Sequence, residues 1–316
     1  MAFSSQRVLQ TSSSLDPMSV PEGQSDALVT NITDSGNTYE VFSFVGSQTL
    51  TVNAQTTCDV MVVAGGGTGR IVGGGGGGGL RHWTGMVFPP GTYAVVVGGG
   101  GSASSVTNGS NSTVTYTGSG SFTTLTASGG GRGPSTAGGI SGGSGGGGNC
   151  GAITGTASNH VGGTGNSGGD TTDLNSGTKV SPTGNSAYKE GHDGGNGSSA
   201  DSIAGGGGGS PKAAGGNGDG SHNGGNGGAP YTTSIRTGST QYFSGGGGGA
   251  GNSTEGKGGD NVATDGSAQK GGGTDGNYTA SVTASPDNTG GGSGGTGGTS
   301  YAANGGSGIV IIRRQS

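Results

Sequence analysis

The sequence predicts an all-β protein in which a jelly-roll-like antiparallel framework carries a large inserted polyglycine II helix bundle. Three observations predict it. Short apolar runs with strand periodicity crowd residues 38–128 and then stop. Glycine fills 86 of the 316 positions and comes in unbroken blocks at 73–79, 98–101, 145–148, 205–209 and 245–249. A last apolar run, Ile309, Val310, Ile311 and Ile312, follows the glycine-rich stretch with no strand beside it in sequence.

The framework strands follow in order. YEVFSFV at 39–45 and QTLTVN at 48–53 are separated by Gly46 and Ser47, the length of a two-residue hairpin turn. In CDVMVVA at 58–64, Val60, Met61, Val62 and Val63 put apolar groups on both faces, which predicts a central strand covered on both sides. LRHWTGMVF at 80–88 turns through Pro89, Pro90 and Gly91 into TYAVVVG at 92–98, which predicts a hairpin. STVTYTG at 112–118 and SFTTLTA at 121–127 make a further hairpin. Helical periodicity is absent, and glycine and β-branched residues oppose it. The run after Gly308 needs a strand partner for its main chain. The framework is the part of the chain rich enough in strands to supply one. On this reading 308–316 is the closing strand and 129–307 is an insertion held at both ends.

A glycine block has no side chain to bury and loses the most backbone entropy on ordering. Collagen is excluded, because consecutive glycines break its three-residue register and there are nine prolines. Disorder fits poorly with a chain in which charged residues make up 9%. The remaining solution is polyglycine II: extended threefold helices that bond to one another through the main chain, about 3.1 Å per residue. A Cβ facing a neighbouring helix would push the two apart. Asn-Gly pairs at Asn108, Asn196, Asn217, Asn226 and Asn304 punctuate the segments as turns. The longer stretches at 171–190 and 229–244 read as surface loops.

Composition also bounds function. Formal net charge is −5 with scattered basic residues, against a nucleic-acid surface. No run of about 18 apolar residues exists, so no membrane insertion is expected. MAFSSQRVLQTSSSLDPMSV lacks the apolar segment of a secretory signal. Cys58 and Cys150 read as free thiols or as one disulfide. The many GxGxxG matches lack a strand–helix context, so no cofactor is expected. The histidines His82, His160, His192 and His222 form no metal-binding spacing, and no serine sits in a nucleophile elbow. No metal and no catalysis are expected.

VMVVAGGGTG at 60–69, GGGGGGGL at 73–80, PPGTYAVVVGGGG at 89–101, NGSNSTV at 108–114 and GGSGIVII at 305–312 together resemble glycine-rich-domain proteins of tailed bacteriophages. The resemblance covers about residues 39–313. In architecture, the middle region is similar to the polyglycine II adhesins that tip some long tail fibres. The resemblance implies a viral structural protein located in the virion, on the tail or capsid surface. It implies non-enzymatic attachment, as a tail fibre or adhesin tip, to a host surface glycan or outer-membrane protein. The alternative is a capsid decoration or cement protein. Residues 1–37 lie outside the motif and read as an arm that docks on other virion proteins. Fibre proteins of this kind imply a homotrimer. Tyr188, Tyr231, Arg236, Tyr242, Phe243 and Tyr278 are the receptor-contact candidates, with capping of the bundle ends as the other reading of the aromatic residues.

Overall fold

The computed structural model describes residues 16–23, 25–134, 138–150, 160–166, 178–180, 189–198, 203–259, 273–297 and 302–316. Among them are thirteen strands and no helix. The first six are β1 (Met18–Ser19), β2 (Ala27–Asp34), β3 (Asn37–Phe44), β4 (Gln48–Val52), β5 (Thr56–Val63) and β6 (Leu80–Phe88). Then come β7 (Gly91–Val96), β8 (Ser112–Tyr116), β9 (Leu125–Ala127) and β10 (Thr178–Lys179). The last three are β11 (Tyr231–Thr233), β12 (Gln241–Phe243) and β13 (Ile309–Gln315). One sheet has the order β1-β4-β7-β8-β9, a second β10-β6-β5-β13-β3-β2, and β11 pairs with β12 alone. Every pairing between these strands is antiparallel.

The two large sheets pack face to face. Phe42, Phe44, Val60, Val62, Trp83, Val310 and Ile312 of the six-stranded sheet meet Leu50, Val52, Tyr93, Val95, Val114 and Leu125 of the five-stranded one. Period-two alternation sends Ile309 and Ile311 to the opposite face, where they join Val41, Met61, Val63 and Leu80. β5 is therefore covered on both sides, and Val60 to Val63 are all fully buried. β13 lies between β3 and β5, with Val310 opposite Phe44 on one side and Val62 on the other. Arg313 closes this end, 2.7 Å from Asp34 and 3.0 Å from Asp59, with its guanidinium 4.2 Å from the centre of the Tyr39 ring.

Residues 16–37 differ from the arm the sequence suggested. Met18 and Ser19 pair with β4, and β2 pairs with β3 along its whole length. Ser35 (φ 51°) and Gly36 (φ 84°) make the tight turn between them. β2 is half polar, yet Ala27 and Val29 pack toward one core and Ile32 toward the other.

Residues 229–244 also differ from the expected surface loop. They form the β11–β12 hairpin and lay Tyr231, Ile235 and Phe243 on the outer face of the six-stranded sheet. That face carries six buried apolar side chains that need cover. Burying one ring such as Phe243 contributes about 1.5–3 kcal/mol.

The glycine segments are joined by main-chain hydrogen bonds. Gly75 donates to Ser293 and accepts from Gly247, Gly247 accepts from Gly208, and Gly208 accepts from Gly228. Gly76 donates to Gly131 and accepts from Gly67. One segment thus bonds neighbours on several sides. In these blocks glycine serves space, not torsion. Among the described residues, the glycines with positive φ are Gly23, Gly36, Gly85, Gly91, Gly238 and Gly290, almost all outside the stacked blocks. A Cβ built on Gly75 or Gly208 falls within 3.0 Å of a carbonyl oxygen of the adjacent segment.

Candidate functional site

Tyr188 lies outside the described residues, and the other five candidate residues separate into distinct places. Tyr231 and Phe243 face each other across the β11–β12 pair and are buried against the six-stranded sheet. Tyr242 lies one position along, so alternation points it to the other side of the hairpin, where it is half-buried. Arg236 is half-buried in the hairpin turn, and burial lowers its guanidinium from the ordinary arginine range. Tyr278 is half-buried elsewhere, against Val72, Cys150 and Ala250. The structure does not bring the five described residues into one patch.

The burial of Tyr231 has a chemical partner. Its hydroxyl lies 2.8 Å from His82 Nδ1, and the two rings meet edge-on with centroids 6.0 Å apart. Among the described residues, His82 Nε2 has no hydrogen-bond partner. Burial pushes the His82 imidazole down from 6.5 to about 4. The folded value lies below the unfolded one. The stability that goes with a neutral ring is therefore complete above pH 6.5 and is lost as pH falls toward 4. The span corresponds to about 3 kcal/mol. His192, also lowered by burial, acts in the same direction. Asp34, lowered by its hydrogen bond to Arg313, adds its loss below the usual carboxylate value of 3.8. Thermal melts from pH 7 to 4 should show the unfolding temperature falling steadily, and His82→Phe should remove most of that slope. An unchanged slope would refute the assignment.

Tyr278 lines a cleft of about 390 Å³ together with Asn252, Ser253, Thr254, Glu255, Lys257 and Thr279. The rim is pinned by its main chain. Asn252 N–H donates to Ile203 and Ser253 N–H to His222. Asn277 Oδ1 accepts from the N–H groups of Thr279 (3.0 Å) and Ala280 (2.8 Å), which fixes the turn that carries Tyr278. Lys257 Nζ is 3.1 Å from Asp275 Oδ2, an exposed pair of little energetic weight. Hydroxyls, an amide, one carboxylate and one ammonium thus line the cleft together with the ring. That set can hydrogen-bond a polyhydroxylated ligand while the ring stacks on its apolar face. The sequence signal for the rim was the polar run at 252–257 between glycine segments, which a search for aromatic loops passes over.

Two other side chains are settled by position. Cys58 and Cys150 are buried in different clusters and are not joined to each other. Burial pushes the Cys58 thiol up to about 12, and it lies 3.5 Å from Met18 Sδ. Glu190, at the end of a stretch expected on the surface, is fully buried. Its carboxylate accepts from Ser128 N–H, from Ser128 Oγ and from Asn166 Nδ2 (2.8 Å), with Arg81 3.6 Å away.

The family model for the glycine-rich domain matches residues 43–315. No curated protein and no solved structure matches the chain.

Proposed function

The chain belongs to the glycine-rich domain family, and from that premise we propose that it is a bacteriophage virion appendage protein. In this reading it is a tail fibre or adhesin tip that attaches to a host-surface glycan or outer-membrane protein without catalysis. The β sandwich is a jelly-roll-like framework, and the stacked glycine segments are a polyglycine II bundle. Support for the bundle comes from main-chain bonds that leave one segment toward several neighbours and from blocks almost free of positive φ. Support for attachment comes from one observation above all: a cleft lined by Tyr278 together with residues of the polar run 252–257. A stack held through its main chain is stiff, so a ligand orders little on binding.

The test uses the purified full chain on a glycan array and on a panel of bacterial cells. Tyr278→Ala should weaken binding about thirtyfold, the ~2 kcal/mol of an aromatic hot spot. Tyr278→Phe keeps the packing on Val72 and Ala250 and should keep most of the binding. A melting curve for each variant separates lost binding from lost fold. Crosslinking of virions supplies the contrary outcome. Crosslinks from residues 1–15 to tail proteins agree with an appendage. Crosslinks to the major capsid protein, with no binding to cells or glycans, would replace it by a decoration protein.

A further inference from the structure

The six-stranded sheet ends on β10 at one edge and on β2 at the other, and the five-stranded sheet ends on β1 and β9. Three of these edges are two or three residues long. β2 is eight residues long. Proteins that stay apart blunt such an edge with charge, proline, a bulge or a cover, because its unpaired main chain is a template for another strand. From Ala27 to Thr33, β2 has no charged residue and no proline, and its pairing with β3 runs without a bulge.

The unpaired groups can be assigned. The turn at Ser35 and Gly36 closes on Asp34 opposite Asn37, and Val45 N–H donates to Asp26 at 2.8 Å. Even-numbered residues of β2 therefore bond to β3. Ala27, Val29 and Asn31 direct their N–H and C=O groups away from the sheet. Among the described residues, no hydrogen bond outside the β3 ladder reaches the main chain of these three. The β11–β12 turn covers the far end, where Gly238 abuts the Thr33 carbonyl and Ser234 Oγ bonds Asp34. The stretch 27–31 stays open, and Leu28 beside it is 45% exposed.

We propose that this edge is the interface with a second copy of the chain: two β2 strands pair antiparallel about a twofold axis and join two six-stranded sheets into one. The occupant follows from the lengths of the edges. Among the described residues, β2 alone of the four edges of the two large sheets is long enough to pair along a stretch of this size. The pattern is self-complementary, with Val29 of one copy opposite Val29 of the other and Ala27 opposite Asn31. In this register Leu28 lies across from Thr30 of the other copy and diagonal to its own counterpart, which covers its exposed surface. A twofold contact of this kind closes on itself and gives a dimer, not the trimer that the fibre resemblance implies. It does not depend on whether the chain attaches to a host.

Sedimentation velocity of the full chain over a wide concentration range should show a reversible change from one-chain to two-chain mass. Asn31→Pro removes an outward N–H and leaves the β3 ladder intact, and it should weaken dimerisation at least tenfold. If that variant fails to fold by circular dichroism, Leu28→Lys decides, since it sets two like charges diagonally across the axis on an already exposed position. Hydrogen exchange supplies a readout without substitution: amides 27, 29 and 31 should lose protection on dilution, and those of 28 and 30 should not. A single-chain mass at every concentration would overturn the proposal, as would a trimer, or a dimer unchanged in the folded variants.

Discussion

Gly208→Ala should destabilise the protein by about 3–5 kcal/mol, at the far end of what single substitutions do. A Cβ at this position overlaps the carbonyl oxygen of Gly75, which is main chain and cannot swing aside. Relief requires the two segments to separate, and that breaks the bonds from Gly74 to Gly206 and from Gly77 to Gly209. Overpacking in an ordinary core costs about 1–3 kcal/mol because side chains share the strain. Here there are none to share it. Gly99→Ala is the control. Its φ is not positive and a Cβ there meets nothing within 4 Å. Restricting the unfolded chain should make that variant about 0.5 kcal/mol more stable. Denaturant titration of both proteins checks the pair. Equal effects would mean that the blocks are glycine for some reason other than space.

Glu190→Ala should cost about 3–5 kcal/mol, the range for removing one member of a buried charged cluster. The side chain is fully buried and joins three parts of the chain: Ser128 after β9, Asn166 among the glycine segments, and Arg81 on β6. Removing it strips the Ser128 N–H of its acceptor and leaves a cavity beside Gly79, which has no side chain because the carboxylate fills that space. Glu190→Gln keeps an acceptor and the volume, so it should cost about 1–2 kcal/mol. Denaturation midpoints at neutral pH measure both. If alanine and glutamine cost the same small amount, the cluster does not hold the glycine stack to the framework.

Much of the sandwich was legible because its strands obey local rules. β5, β6, β7 and β8 alternate or run apolar between recognisable turns, but the hairpins expected at Gly46-Ser47 and at Pro89-Pro90-Gly91 do not form: each turn carries the chain from one sheet to the other, because the strands on its two sides belong to facing layers. β2 was not legible as framework because Thr30, Asn31 and Thr33 dilute its apolar positions, and an edge strand needs few of them. The burial of Tyr231, Ile235 and Phe243 was not legible either. It follows from a bare outer sheet face, and that face exists only once β13 has been placed beside β5. Glu190 escaped because a lone carboxylate is normally exposed, and its partners come from remote segments. Of the candidate residues, Tyr278 reached a cleft. Its polar surroundings gave no signal beyond their position between glycines.

The place of β13 in the sheet also sets a schedule. The ion pair between Arg313 and Asp59 joins residues 254 positions apart, and at about 5–20 residues per second a ribosome needs on the order of tens of seconds to cross that interval. Until it does, β3 and β5 stand with a missing strand between them, each showing an open edge and apolar side chains to its surroundings. Among the described residues, the glycine-rich stretch that fills the wait offers those edges no apolar strand as long as β13, and its β11 and β12 are three residues each and pair with one another. A nascent chain of this kind therefore depends on its middle being inert as much as on its end being adhesive.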